Sequence, residues 1–403
     1  MLDAVKTITD VFFRKRFYQH DFFCGSNTWQ EVKNVVCHIL LRHPLVKGVY
    51  IGEYEKLAAQ WMNCQYGCSF ATGRQALYAI LKALGIGEGD EVILQAFTCV
   101  VVPRAILYAG AKPVYVDIDG ETYNMDAAKV RAALTPRTRA LIMQHTFGYP
   151  AAVRELQDIC VENSLYLIED CAHAVGSRYN GVNVGGFGTA GFYSSDHTKT
   201  ISTSTGGMAF TNDKTLAEKI QLCGRDNTLS RLDVLRIALT FVVETLITYP
   251  QVYWLLKPLR QLLNRTLFFF YKDENAEQKP LRYPLKLSNL QAMIGLDQLS
   301  KLASNLGHRM AMSNWLGENE DQPLLRYPRY NGNPQLLVDA MCKYVTIGRW
   351  YDSPVFGCER LDSVGYKKGS CPVAELVAKH VVNFPTHSRT NTKMFNFLEG
   401  FHG

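Results

Sequence analysis

Residues 139–174 read RALIMQHTFGYPAAVRELQDICVENSLYLIEDCAHA. An apolar run at 139–145 gives way to AAVRELQDICVEN (151–163), whose apolar residues recur at helical spacing. A second apolar run, LYLIED (165–170), follows. The two runs are apolar nearly throughout instead of alternating, which is the pattern of strands covered on both faces. Strand, helix and strand in this order make one unit of a parallel sheet.

Working outward, the unit repeats. EYEKLAAQWMN (53–63) has helical spacing, CSFA (68–71) is a short apolar strand, and GRQALYAILKALG (73–85) is an amphipathic helix ended by Gly85. EVILQAF (91–97) and KPVYVDID (112–119) are further strand-like runs. The alternation lasts to about residue 230 and predicts an α/β fold: a large domain with a mostly parallel sheet covered by helices. The aromatic and basic start, with FFRKRFYQHDFF at 12–23, reads as an arm or cap over 1–45, ahead of the large domain at 46–230. An apolar insertion-like segment and polar loop occupy 231–280. The rest, 281–403, opens on the helix LSNLQAMIGLDQLSKLAS (287–304) and suits a smaller C-terminal α+β domain.

The composition narrows the function. The chain has 403 residues, 47% hydrophobic and 20% charged, so it can bury sizeable cores. A net charge of +6 at this length permits anionic substrates but is no nucleic-acid signature, and no zinc-finger or aromatic-basic RNA-binding motif is present. Eleven cysteines at irregular positions, with no short apolar leader and small-residue cleavage site at the start, read as reduced thiols of a cytoplasmic protein. Cys64 and Cys68 form a lone C-x3-C without a second pair, so no metal site is expected. Residues 235–256, LRIALTFVVETLITYPQVYWLL, approach the length of a membrane span, but Glu244, Pro250 and the threonines oppose one. A buried helical element is the plain reading. Basic flanks at Arg231, Arg236, Lys257, Arg260 and Arg265 leave peripheral contact with an anionic membrane open.

Ligands of such sheets bind outside the carboxyl ends of the strands, and three segments lie there. In FATGRQAL (70–77) a strand turns through Thr72-Gly73 into a helix. The free N–H groups there favour a phosphate, and an ordinary helix cap reads the same way. In LYLIEDCAHA (165–174) Asp170 ends a buried strand and needs a cationic or hydrogen-bonding partner. A structural salt bridge would serve, and so would the protonated ring nitrogen of a cofactor. His173 follows three residues on. In SSDHTKTISTSTGG (194–207) Lys199 stands among hydroxyls before the pair Gly206-Gly207. That lysine is open to three readings: a solvated loop charge, a phosphate clamp, or a nucleophilic amine. The glycines follow it, which excludes the G-x4-GK-[ST] phosphate loop of nucleotide hydrolases.

Together and in order, these segments resemble the fold type I pyridoxal-phosphate aminotransferases, and among them the DegT/StrS enzymes that aminate keto sugars. The resemblance runs from about residue 48 to 305. It rests on ATGRQAL (71–77), LKALGIGEGDEVILQAFT (81–98), ILYAGAKPVYVDID (106–119), QHTFG (144–148), IEDCAHAVGSRYNG (168–181), SSDHTKTISTSTGG and LSNLQAMIGLDQLSKL (287–302), with a fainter echo in NFPTHSRT (383–390).

The resemblance implies Lys199 as the Schiff-base lysine and Asp170 as the carboxylate that keeps the pyridine nitrogen protonated. It places His173 near the ring oxygen, where glutamine is more common, and Gly73, Arg74 and Ser194 at the phosphate. It also implies a homodimer whose sites are completed across the interface, and transfer of an amino group from a donor such as glutamate to a nucleotide-linked keto sugar. Two positions depart from the pattern. Cys99 stands where an aromatic stacks on the pyridine, with Phe97 two residues earlier. Pro284 and Lys286 replace an Asn-x-Arg. The apolar 235–272 region, ending in LFFFY, offers an alternative acceptor, a lipid-like or carrier-linked aldehyde or ketone. A non-catalytic protein of the same fold is the third reading.

Overall fold

The computed structural model describes residues 26–250, 253, 277–317, 321–341 and 345–390. Seven strands form one sheet: β1 (Tyr66–Phe70), β2 (Glu91–Gln95), β3 (Lys112–Val116), β4 (Thr138–Gln144), β5 (Tyr166–Asp170), β6 (Ala190–Ser194) and β7 (Gly207–Thr211). Their order is β1-β7-β6-β5-β4-β2-β3. β7 runs antiparallel to both its neighbours, and every other pairing is parallel. The mostly parallel sheet expected from residues 139–174 is the sheet observed, with β4 and β5 from that stretch near its middle.

Helices cover both faces, in chain order α1 (Trp29–Leu40), α2 (Tyr50–Trp61), α3 (Gly73–Ala83), α4 (Val101–Ala109), α5 (Ala127–Ala133), α6 (Val153–Glu162), α7 (Lys214–Leu222), α8 (Arg231–Ile247) and α9 (Asn289–Ser300). The two-residue period of the strands divides their side chains between two cores. Ile142 and Ile168 pack with Leu77, Ile80 and Ile106 of α3 and α4. Leu141, Met143 and Leu167 pack with Val153, Leu156 and Ile159 of α6. Because each strand is buried on both sides, its sequence could be apolar throughout.

Beyond α9, α10 (Leu302–Gly317) leads to β8 (Arg326–Tyr330), which pairs antiparallel with β9 (Val381–Pro385). α11 (Pro334–Met341) and α12 (Pro372–His380) complete this α+β part, which has its own apolar cluster around Met312, Leu337, Val382 and Phe384.

The apolar segment begins as α8, started by a capping box between Ser230 and Asp233. Val234, Ile237, Ala238 and Phe241 bury themselves against Val32 and Val35 of α1 and Leu290 and Ile294 of α9. No helix among the described residues is long and apolar enough to cross a membrane. Past residue 250 of this segment only Tyr253 and residues 277–280 are described; LFFFY at 267–271 lies outside the described residues, as do residues 1–25 of the expected arm.

Candidate active site

Register carries the chemistry to one edge. Gln144 at the end of β4 pairs with Asp170 at the end of β5, which pairs with Phe192, two residues before Ser194 at the end of β6. Outside these carboxyl ends lies a cavity of about 360 Å³. All six residues singled out from the sequence line it: Gly73, Arg74, Asp170, His173, Ser194 and Lys199.

The floor is the Thr72-Gly73 turn. Thr72 caps α3, its side chain accepting from the Gln75 N–H at 3.4 Å. A Cβ on Gly73 would stand 2.9 Å from Ser194 Cβ, so the absent side chain brings the helix start against β6. A Cβ on Gly207 would stand 2.5 Å from the Thr72 carbonyl carbon, and one on Gly206 would stand 2.5 Å from Thr203 Oγ1. The glycine pair after Lys199 thus serves two close approaches. Gly207 admits the helix start beneath the cavity, and Gly206 admits the hydroxyls of its own loop.

The consecutive carboxylates of β5 part company. Glu169 Oε1 accepts from the N–H groups of Phe187 (2.6 Å) and Gly188 (2.7 Å). Its Oε2 accepts from the Gly185 N–H (2.8 Å) and from His145 Nε2 (3.2 Å). His145, Glu169 and Cys171 gather closely enough to hold a metal ion. The carboxylate oxygens, however, are already engaged four times, and His145 Nδ1 accepts from the Ala151 N–H. Cys64 and Cys68 donate to separate carbonyls, those of Gly185 and Ala217.

Asp170 faces the cavity instead. Burial raises its carboxyl to about 6, against the Ala172 N–H, Lys199 and His145, which favour the anion. His173 Nδ1 accepts from the Phe147 N–H at 3.3 Å, leaving the proton on Nε2, which faces the Tyr351 hydroxyl at 3.3 Å. Burial, with Lys199 and Arg326 nearby, pushes its pKa well below the usual value, so the ring is neutral.

Lys199 is half-buried, and its amine lies 4.6 Å from the centre of the Trp350 ring. Burial lowers it from 10.5 to about 8, although Asp196, Cys99 and Asp170 pull the other way. Its loop is clamped from outside: the Thr200 carbonyl accepts from Ser26 Oγ (2.7 Å) and Asn305 Nδ2 (2.9 Å).

Several lining residues were not anticipated. Trp350 and Tyr351 close the cavity, and Arg326 of β8 lies 3.7 Å over the Trp350 ring. Asp196 and His197 also line it. They stood in the quoted motif, and being charged in a strand-end loop was the only signal they gave. Cys99 lines the cavity as its position implies. Phe97 does not; it is fully buried, packed edge-on to Phe147 and Tyr351. Lys286 lies at the outer edge of β1, its amine 4.1 Å from the Phe70 ring centre, away from the cavity lining.

Residues 27–237, just over half of the chain, match the model of the DegT/DnrJ/EryC1/StrS aminotransferase family. The chain belongs to this family. The match begins at residue 27, inside a stretch whose sequence carries no clear family motif, and takes in α1. The chain is 40% identical over 173 residues to the GDP-perosamine synthase of Escherichia coli O157:H7, covering 43% of this chain and 48% of that protein. It is 35% identical over 209 residues to the UDP-2-acetamido-2-deoxy-3-oxo-D-glucuronate aminotransferase of Pseudomonas aeruginosa, covering 51% and 58%. The chain thus spans about half the length of the curated relatives it matches. Likeness of fold reaches further: the crystal structure of NtdA from Bacillus subtilis, with bound cofactor PMP, matches with a TM-score of 0.70 at 20% identity, over 93% of this chain and 81% of that one. The fold type I architecture of the family is the one observed here.

Proposed function

We propose that this DegT/StrS-family chain is a pyridoxal-phosphate-dependent aminotransferase. It would move an amino group from an amino acid donor, glutamate being the leading choice, to the keto group of a nucleotide-linked sugar. The observation that carries the reading is one cavity holding a lysine amine lowered to about 8 beside a strand-end carboxyl raised to about 6. The names of the relatives, a GDP-sugar synthase and a UDP-sugar aminotransferase, support the acceptor class.

The residues fit the cofactor. A buried Asp170 carboxylate is stabilised by a cation placed against it, which a protonated pyridine nitrogen supplies. The start of α3, where Gly73 carries no Cβ, offers backbone N–H groups and the positive end of the helix to a phosphate, with Ser194 and Arg74 beside it. Bound pyridoxal phosphate supplies an electron sink for the substrate carbon. Asp170 would hold the ring nitrogen protonated. Lys199 would present its amine to the cofactor's aldehyde and would hold and return a proton at Nζ. His173, neutral, offers a hydrogen bond without adding charge. Trp350 and Tyr351 cover the cavity and exclude water.

We further infer a homodimer and a reducing, cytoplasmic setting; the nine described cysteines, all free thiols, support the latter. Purified wild-type protein should show an absorbance band near the visible edge that Lys199→Ala abolishes, and the band should bleach with an amino donor. A screen of nucleotide-linked keto sugars against long-chain aldehydes and ketones, following that band, tests the acceptor. Turnover of long-chain carbonyl compounds alone would overturn the sugar reading, and wild-type protein without the band would overturn the cofactor.

A further inference from the structure

α8 carries a carboxylate where its sequence gives no reason for one. Glu244 lies in the run FVVETLI and is 6% exposed, a placement that costs several kcal/mol unless a partner meets it. Its Oε1 stands 3.9 Å from Nε2 of His197, on the cavity wall. The other nitrogen of that ring, Nδ1, stands 3.2 Å from Oδ1 of Asp196. The imidazole is therefore strung between two carboxylates, one from the helix and one from the lysine loop. Asp196 in turn is tied to the lysine, its backbone carbonyl accepting from the Lys199 N–H at 3.0 Å.

We propose that Glu244 and His197 are positioning residues that act through Asp196 on the amine of Lys199. The inference rests on the reading of Lys199 as the reacting amine. Burial by itself would push the Asp196 carboxyl up. His197 first, then Lys199 and the Thr198 N–H, outweigh burial and hold it at about 2. The resulting anion is the largest influence opposing burial at Lys199. The other charged or titrating groups facing that amine are Cys99, Asp170, His173 and Arg326, from other parts of the fold. The chain of contacts makes the lysine's protonation depend on a helix that itself contributes no residue to the cavity wall.

The test needs no cofactor. The full-length chain, freed of any bound aldehyde with hydroxylamine, is treated with limiting acetic anhydride from pH 6 to 10, and acetylation of Lys199 is followed by peptide mass spectrometry. The wild-type midpoint should lie near 8. Asp196→Asn should lower it by about one pH unit, making labelling at pH 7 about fivefold faster. His197→Gln and Glu244→Gln should move it the same way by smaller amounts, because the Asp196 carboxylate, no longer held in place through the ring, turns away from the lysine amine. A role confined to packing would lower the melting temperature of Glu244→Gln and leave the midpoint in place. Midpoints of both Gln variants at the wild-type value, or above it, would overturn the proposal. Should Glu244→Gln not fold, His197→Gln decides alone. Because the readout is the free amine, failure of the cofactor reading, seen as a missing absorbance band, stays distinguishable from failure here.

Discussion

Two glycine-to-alanine substitutions, identical in chemistry, should act in opposite directions. Gly207 opens β7, where a Cβ would meet the Thr72 carbonyl carbon at 2.5 Å, with the Gly73 backbone closer still. The obstacle is backbone on both sides, so no rotamer change relieves it. The start of α3 and the first residue of β7 must separate by about 1 Å to restore ordinary contact, and overpacking of this kind costs about 1–3 kcal/mol. The displaced atoms are those proposed to receive the phosphate, and a misplacement of about 1 Å can cost on the order of 100-fold in function. Gly52, in the first turn of α2, would present its Cβ to open space. There alanine should stabilise by up to about 1 kcal/mol, through helix propensity and a less flexible unfolded chain. Urea unfolding of both variants, with pyridoxal-phosphate affinity from fluorescence titration, checks the pair. Gly207→Ala with wild-type midpoint and affinity would refute the packing argument for the glycine pair.

Other expectations follow from the same contacts. The Asp170 carboxyl is raised in the folded chain, from 3.8 to about 6, so without cofactor its ionisation opposes folding. That penalty is absent below pH 4, grows as pH rises through 6, and reaches about 3 kcal/mol. Asp170→Asn should therefore lose less stability than wild type between pH 4 and 7, and parallel urea midpoints would contradict this. Glu169→Gln leaves one acceptor oxygen for four donors and should cost about 2–5 kcal/mol by urea unfolding, at a residue outside the cavity lining. Phe241→Ala, at a fully buried position between α8, α1 and α9, should cost about 3–5 kcal/mol. Leu239→Ala, half-exposed on the same helix, should stay within about 0.5 kcal/mol, and equal losses at the two sites would refute the packing assigned to α8.

How much of this was legible beforehand depended on how local each signal was. The strands from β2 to β5, the Thr72 cap and the strand-end position of Asp170 follow from short apolar runs set between helices of 3.6-residue spacing and from capping chemistry, which operate within a few residues. The strand-end rule then gathers Gly73, Asp170, Ser194 and Lys199 at one edge. The separation of Glu169 from Asp170 is local in the same sense, since adjacent residues on a strand point to opposite faces. What Glu169 binds there, the loop at 185–188, had no signal in LYLIED.

The sequence by itself thus determined the sheet, the edge at which its chemistry lies, and the residues of that edge. Only the tertiary structure decided what closes it. Trp350, Tyr351 and Arg326 reach Lys199 from a part of the chain whose sequence shows no strong period. Glu244 meets His197 because α8 packs on α1 and α9 in one rotation about its axis. The physical reason is that hydrogen-bond periodicity and capping are written over a turn or two of backbone. Contacts between distant segments depend on how whole elements dock, and a side chain's own neighbours in sequence do not encode that.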